Sequence, residues 1–163
     1  MTLERTILLF AWVIGLATIA FFVTRPKPHR FILAYMMCGS LVWIKVAHHV
    51  YFNMVIFPVR EFPNATNFGF TPQYMLYPLI CSLYIISEPQ GSWLRRVLHL
   101  LLFTVPLTFL HTALAFFTDL MEFVRYNALT AWLYFITVFV TTNGLVRWFF
   151  REPVLFLKRR GDD

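Results

Sequence analysis

Five long apolar segments joined by short polar connections constrain this chain more than anything else in it. They run over Thr6–Val23, Phe31–Phe57, Thr71–Ile86, Val97–Phe117 and Ala128–Phe149. A membrane-spanning helix needs about 20 mainly apolar residues, and these segments approach or exceed that length. The residues are 59% hydrophobic and only 13% charged, and no separate soluble stretch or low-complexity tract interrupts the pattern. The expected fold is therefore all-α. It is a polytopic membrane protein with five transmembrane helices, a single domain over residues 1–163 that ends in a cytoplasmic basic tail over 150–163.

Basic residues orient such a bundle, because Lys and Arg are retained on the cytoplasmic side. Arg25, Lys27, Arg30, Arg95, Arg96, Arg147, Arg151, Lys158, Arg159 and Arg160 fall on one side; Arg5, Arg60 and Arg125 fall on the other. The asymmetry predicts an outside N-terminus and a cytoplasmic C-terminus in a bacterial cytoplasmic membrane, and five spans put the ends on opposite sides. The net charge of +6 then points to anionic lipid headgroups at the cytoplasmic face and not to nucleic acid. Val154–Leu157 ahead of Lys158, Arg159 and Arg160 suits an interfacial anchor. In the outer loop, Phe62, Phe68 and Phe70 are expected at headgroup level. Asn64-Ala65-Thr66 matches a glycosylation sequon, which matters only in a secretory pathway. Pro78 and Pro106 predict kinks in the third and fourth spans.

Residues three and four apart share a helix face. Cys38, Lys45, His49 and Asn53 form such a stripe on the second span. Tyr74, Tyr77, Cys81 and Tyr84 do so on the third, and Thr104, Thr108, His111, Ala115 and Thr118 on the fourth. Asn127, Thr130, Tyr134, Thr137 and Thr141 do so on the fifth. Spans two to five are thus expected around a polar interior, with the first span peripheral. Ala11 and Gly15 in that first span have the small-residue spacing of close helix packing. Cys38 and Cys81 read as buried small hydrophobes, with no zinc-like spacing.

Lys45, His48 and His49 lie inside the second segment, where ionisable groups mark functional sites by default. Lys45 follows Arg30 by fifteen residues and His111 follows Arg96 by fifteen. Both should therefore lie about 22 Å along their helices from the inner boundary. Lys45, His48, His49, Asn53 and His111 are the candidate ligand-binding residues, with Glu61, Asp119 and Glu122 as an outer polar rim. Three roles stay open. The cluster lines an outward pocket for an anion or lipid headgroup. Alternatively Lys45 snorkels, and the chain is a structural or partner-binding subunit. In the third, His111 with His48 or His49 ligates haem or a metal. No nucleophile elbow, zinc-protease motif or phosphate loop is present, so a non-enzymatic module is expected. A membrane-protein partner or a second copy of the chain is compatible with all three roles.

The run Phe57-Pro-Val-Arg-Glu-Phe-Pro-Asn-Ala-Thr66, then Tyr77-Pro78, and the closing Trp132–Phe150 carry a family likeness. The chain resembles small five-helix membrane proteins of unknown function from spore-forming Gram-positive bacteria, over about two-thirds of its length, from Phe57 onward. Members of that family carry an acidic residue in the fourth span, where this chain has His111. The resemblance implies a five-helix membrane fold and transfers no activity.

Overall fold

The computed structural model describes residues 3–24, 28–62, 64–89 and 92–151. The expected tail anchor at Val154–Arg160 lies outside the described residues, as do Arg25 and Lys27. Five α-helices account for most of the chain: α1 (Leu3–Val23), α2 (Pro28–Tyr51), α3 (Tyr77–Ile86), α4 (Trp93–Phe117) and α5 (Ala128–Phe149). Two short strands, β1 (Val55–Ile56) and β2 (Glu122–Phe123), pair antiparallel with Val55 opposite Phe123 and Ile56 opposite Glu122. Four helices, α1, α2, α4 and α5, are long and apolar enough to cross a membrane.

The second apolar segment was expected to stay helical to Phe57, but α2 stops at Tyr51. Asn53 has φ of 51°, the left-handed conformation that Asn tolerates better than bulkier residues. The Asn53 amide donates to the Val50 carbonyl at 3.0 Å and the Met54 amide to the His49 carbonyl at 2.8 Å. That double bond is a Schellman stop, and it closes the helix before the apolar run ends. The residues released beyond it form β1, which ties the α2–α3 loop to the α4–α5 loop. Beyond α5, Arg151 has φ of 56° and its amide donates to the Trp148 carbonyl at 3.1 Å.

The third segment departs further. Its first part is a π-helical turn, Pro72–Leu76, and only then α3. Pro78 sits in the first turn of α3, where a missing N–H is tolerated. Its lost amide frees the Tyr74 carbonyl four residues back. The Tyr35 hydroxyl on α2 donates to that carbonyl at 2.5 Å, so a neighbouring helix satisfies the group. Pro106, by contrast, lies inside an uninterrupted α4.

α3 packs most extensively against α2, while α5 joins α2 to α4. α1 touches mainly α2 and the π turn, and most of its surface faces away from the protein. At Gly15 a Cβ would meet the Met75 side chain, with Cγ at 2.7 Å, so this glycine sets how closely α1 approaches. The centre of the bundle is not a polar channel. Ala34, Cys38, Val42, Tyr77, Cys81, Phe135, Phe139 and Val146 make one mainly apolar core, with both cysteines free and buried. On α5 the expected stripe is turned outward except at Tyr134, which packs against the core. Thr130, Thr137 and Thr141 are exposed, whereas Ala131, Phe135, Val138, Phe139 and Thr142 pack inward. Thr137 satisfies its hydroxyl on the Leu133 carbonyl at 2.8 Å, which removes the need for an inward partner. Polar side chains gather at the two ends of the core instead.

Candidate functional site

Near one end of the core, α2 and α4 each present an imidazole. On α2 the buried face runs Phe31, Ala34, Cys38, Val42 and Val46, so the next inward position is shared by His49. On α4, Thr104, Thr108 and His111 form a buried stripe at the expected spacing. The strands β1 and β2 fold over these helix ends. Beneath them lies a cavity of about 20 Å³, lined by Val46, His49, Val55, Phe57, Gln73, Tyr77, His111, Met121, Tyr126 and Tyr134. A volume of that order holds one water-sized molecule.

The His111 ring is 5% exposed and is gripped by aromatic neighbours. Its centroid lies 5.7 Å from that of Tyr77, 5.3 Å from Phe135 and 5.5 Å from Phe123. Its Nδ1 and the Tyr77 hydroxyl are 2.6 Å apart, whereas its buried Nε2 has no hydrogen-bond partner. The His49 ring lies between Tyr126, tilted at a centroid distance of 5.0 Å, and Tyr134, edge-on at 5.5 Å. Burial pushes the Tyr126 hydroxyl above its ordinary pKa, so it remains a protonated donor. No carboxylate lines this cavity.

The other sequence candidates separate from this pair. Lys45 is exposed on the outer wall of α2, because its neighbour Val46 takes the inward position. The level shared with His111 is thus that of His49, one turn beyond Lys45. His48 is exposed and its ring lies 4.5 Å from that of Phe52. Asn53 is exposed and terminates α2 as described above. Asp119 and Glu122 line a different recess of about 290 Å³ together with Glu4, Pro58 and Met121. Glu61 serves the backbone: the Phe70 amide donates to its Oε2 at 3.0 Å and the Thr71 amide to its Oε1 at 2.9 Å. Partial burial acts to raise the Glu61 pKa, but the hydrogen bonds from Thr71 and Phe70 outweigh it and hold the carboxyl below its usual value. Among the described residues, no three His, Cys, Asp or Glu side chains come together as a metal-binding group.

A second polar cluster, at the opposite end of the core, was not anticipated. Arg147 Nη2 donates to Glu88 Oε2 at 2.6 Å, and Arg147 Nε donates to Asn143 Oδ1 at 2.9 Å. The Asn143 amide nitrogen donates to Glu88 Oε2 at 3.1 Å and to the Tyr84 hydroxyl at 3.3 Å. Arg96 Nε approaches Glu88 Oε1 at 3.9 Å. The Arg147 and Glu88 side chains are 8% and 4% exposed. Arg147 counts toward the basic asymmetry, yet it is a buried partner of a carboxylate. The sequence signal lies in its position. It falls in the last turn of an apolar segment, four residues after Asn143 and directly before Trp148, Phe149 and Phe150, where an arginine needs an anion at its own level.

Four helices long and apolar enough to cross a membrane, three of them packed with α3 about an apolar core, mark a helical membrane-embedded protein. The chain matches no family model, no curated protein and no solved structure.

Proposed function

We propose that this chain is a non-enzymatic membrane module whose outer half receives a small anion or the anionic oxygen of a lipid headgroup. The observation that supports it is the lining of the cavity. It is built from His49, His111, Tyr77, Tyr126, Tyr134 and Gln73, with the buried His111 Nε2 unpartnered and no carboxylate among them. Buried polar atoms in proteins almost always have partners, so an unpartnered nitrogen beside this cavity is one that a guest would satisfy. Lys45, four residues before His49, supplies positive potential near this end of the helix and draws anions toward it.

In this reading the chain crosses a bacterial cytoplasmic membrane five times, with its N-terminus outside. The π turn and α3 together give 15 helical residues, about 22 Å at 1.5 Å per residue, which suits a short third crossing. Four crossings would put both ends on one side, against the ten-to-three basic asymmetry. Maleimide labelling of a single-cysteine tail variant in intact cells checks this, with Cys38 and Cys81 replaced. The tail should react only after the cells are opened; labelling from outside contradicts the topology.

A second reading, a structural or partner-binding subunit, draws on the exposed position of Lys45, which fits snorkelling. A melting screen of wild type, Lys45→Met and His111→Phe against small anions and anionic lipids separates the two. Binding to the folded state alone raises Tm. The anion reading expects a saturable rise in wild type that His111→Phe abolishes and Lys45→Met weakens. Lys45→Met without ligand should be neutral or slightly stabilised, since a charge leaves an apolar setting. If no anion or lipid shifts the wild type, the structural reading stands.

A further inference from the structure

The end of the bundle that holds Glu88 carries an exposed rim of arginine and tryptophan. α4 begins at this end and α5 finishes there. Glu88 lies 2.6 Å from Arg147 and 3.9 Å from Arg96, so one carboxylate holds the first turn of α4 beside the last turn of α5. Both helices are long and apolar enough to cross a membrane, which puts these two ends at its boundary.

Trp93 is the first residue of α4 and Trp148 lies in the last turn of α5; they are 66% and 76% exposed. Indoles at the ends of spanning helices settle at the level of the lipid headgroups. Arg95 stands in the same turn as Trp93, and Arg151 follows Arg147 by one turn. Both are exposed, and neither has an ion-pair partner among the described residues. Glu88 is already engaged by Arg147 and Arg96. The other described carboxylates, Glu4, Glu61, Asp119 and Glu122, belong to the opposite end, three of them around the larger recess. The charge of Arg95 and Arg151 is therefore left for the surroundings to balance, at headgroup depth.

We propose that this rim selects anionic glycerophospholipids from the adjoining leaflet. Arg95 and Arg151 contact the phosphates, for which a guanidinium is suited by its paired N–H donors. Trp93 and Trp148 fix the rim at headgroup depth. A zwitterionic lipid offers the same phosphate but cancels its charge with the amine beside it. The proposal rests on the membrane-embedded fold and not on the His111 cavity.

The test is native mass spectrometry of the full chain in detergent, at constant low ionic strength. Phosphatidylglycerol and phosphatidylcholine with matched acyl chains are supplied in equal amounts. The wild type should retain phosphatidylglycerol about twentyfold over phosphatidylcholine. Arg95→Gln and Arg151→Gln should each lower that preference about fivefold, and the double variant should bring it near parity. Melting without lipid should be unchanged in these variants, because both positions are exposed. His111→Phe should keep the preference, which separates the rim from the cavity. Parity in the wild type overturns the proposal, and so does a preference that the double variant retains. Displacement of phosphatidylglycerol by millimolar inorganic phosphate makes this a free-phosphate site and overturns the lipid assignment.

Discussion

Replacing Glu88 by Leu, or Arg147 by Met, should destabilise the folded protein by about 3–5 kcal/mol each, because either change takes from a buried charge the partner it bonds at 2.6 Å. The pair is nearly sealed from solvent, at 2.6 Å between Arg147 Nη2 and Glu88 Oε2, and Asn143 bonds to both residues. Glu88 follows α3, Arg96 lies in α4 and Arg147 in α5, so one carboxylate fastens three helices at the same level. The double variant should behave differently. Exchanging a whole buried pair for apolar residues is often neutral or stabilising by about 1–4 kcal/mol. Thermal unfolding of the four proteins in one detergent completes the cycle. Single variants that each lose under about 1 kcal/mol, in the range of a surface ion pair, would show that the cluster does not hold the helices together.

Tyr77→Phe should cost about 1–3 kcal/mol, the range for leaving a buried hydrogen-bonding atom unpaired. The Phe ring keeps the edge contacts to Phe135 and His111, with centroids at 5.1 and 5.7 Å, so packing changes little. The lost hydroxyl leaves His111 Nδ1 without a donor and lets the ring take either tautomer. Nitrogen-15 shifts of labelled histidine should show Nε2 protonated in the wild type and a mixed population in the variant. Affinity for a small anion should fall alongside, because Tyr77 holds the His111 ring. A variant as stable as the wild type, with the tautomer unchanged, would remove Tyr77 from any role at the site.

Helix α5 begins and ends where its apolar run does, and the reason is local. The Asn127 side chain accepts from the Thr130 amide at 2.8 Å, an N-cap readable from residue type alone. The stripe on α4 was equally legible, because Thr104, Thr108 and His111 keep helical spacing and all face the core. Lys45 was misleading for a physical reason. It is six residues short of the end of α2, within reach of the interface for a long flexible side chain, so polarity alone did not fix its direction. Asn53 looked like one more polar position on a stripe, whereas its capacity for positive φ ended the helix. The Glu88–Arg147 pair joins residues 59 apart in sequence, and only the packing of α3 against α4 and α5 sets their levels equal. The meeting of His49 with Tyr126 likewise depends on β1–β2 pairing, which two-residue strands scarcely announce, and that with Tyr134 on the packing of α5 against α2.

Anomalous diffraction from crystals of the full chain grown in bromide tests the anion site most directly. The expected result is an anomalous peak inside the cavity, between His111 and Tyr126. Bromide only on the surface, with water between His111 and Tyr126 at saturating bromide, would contradict it.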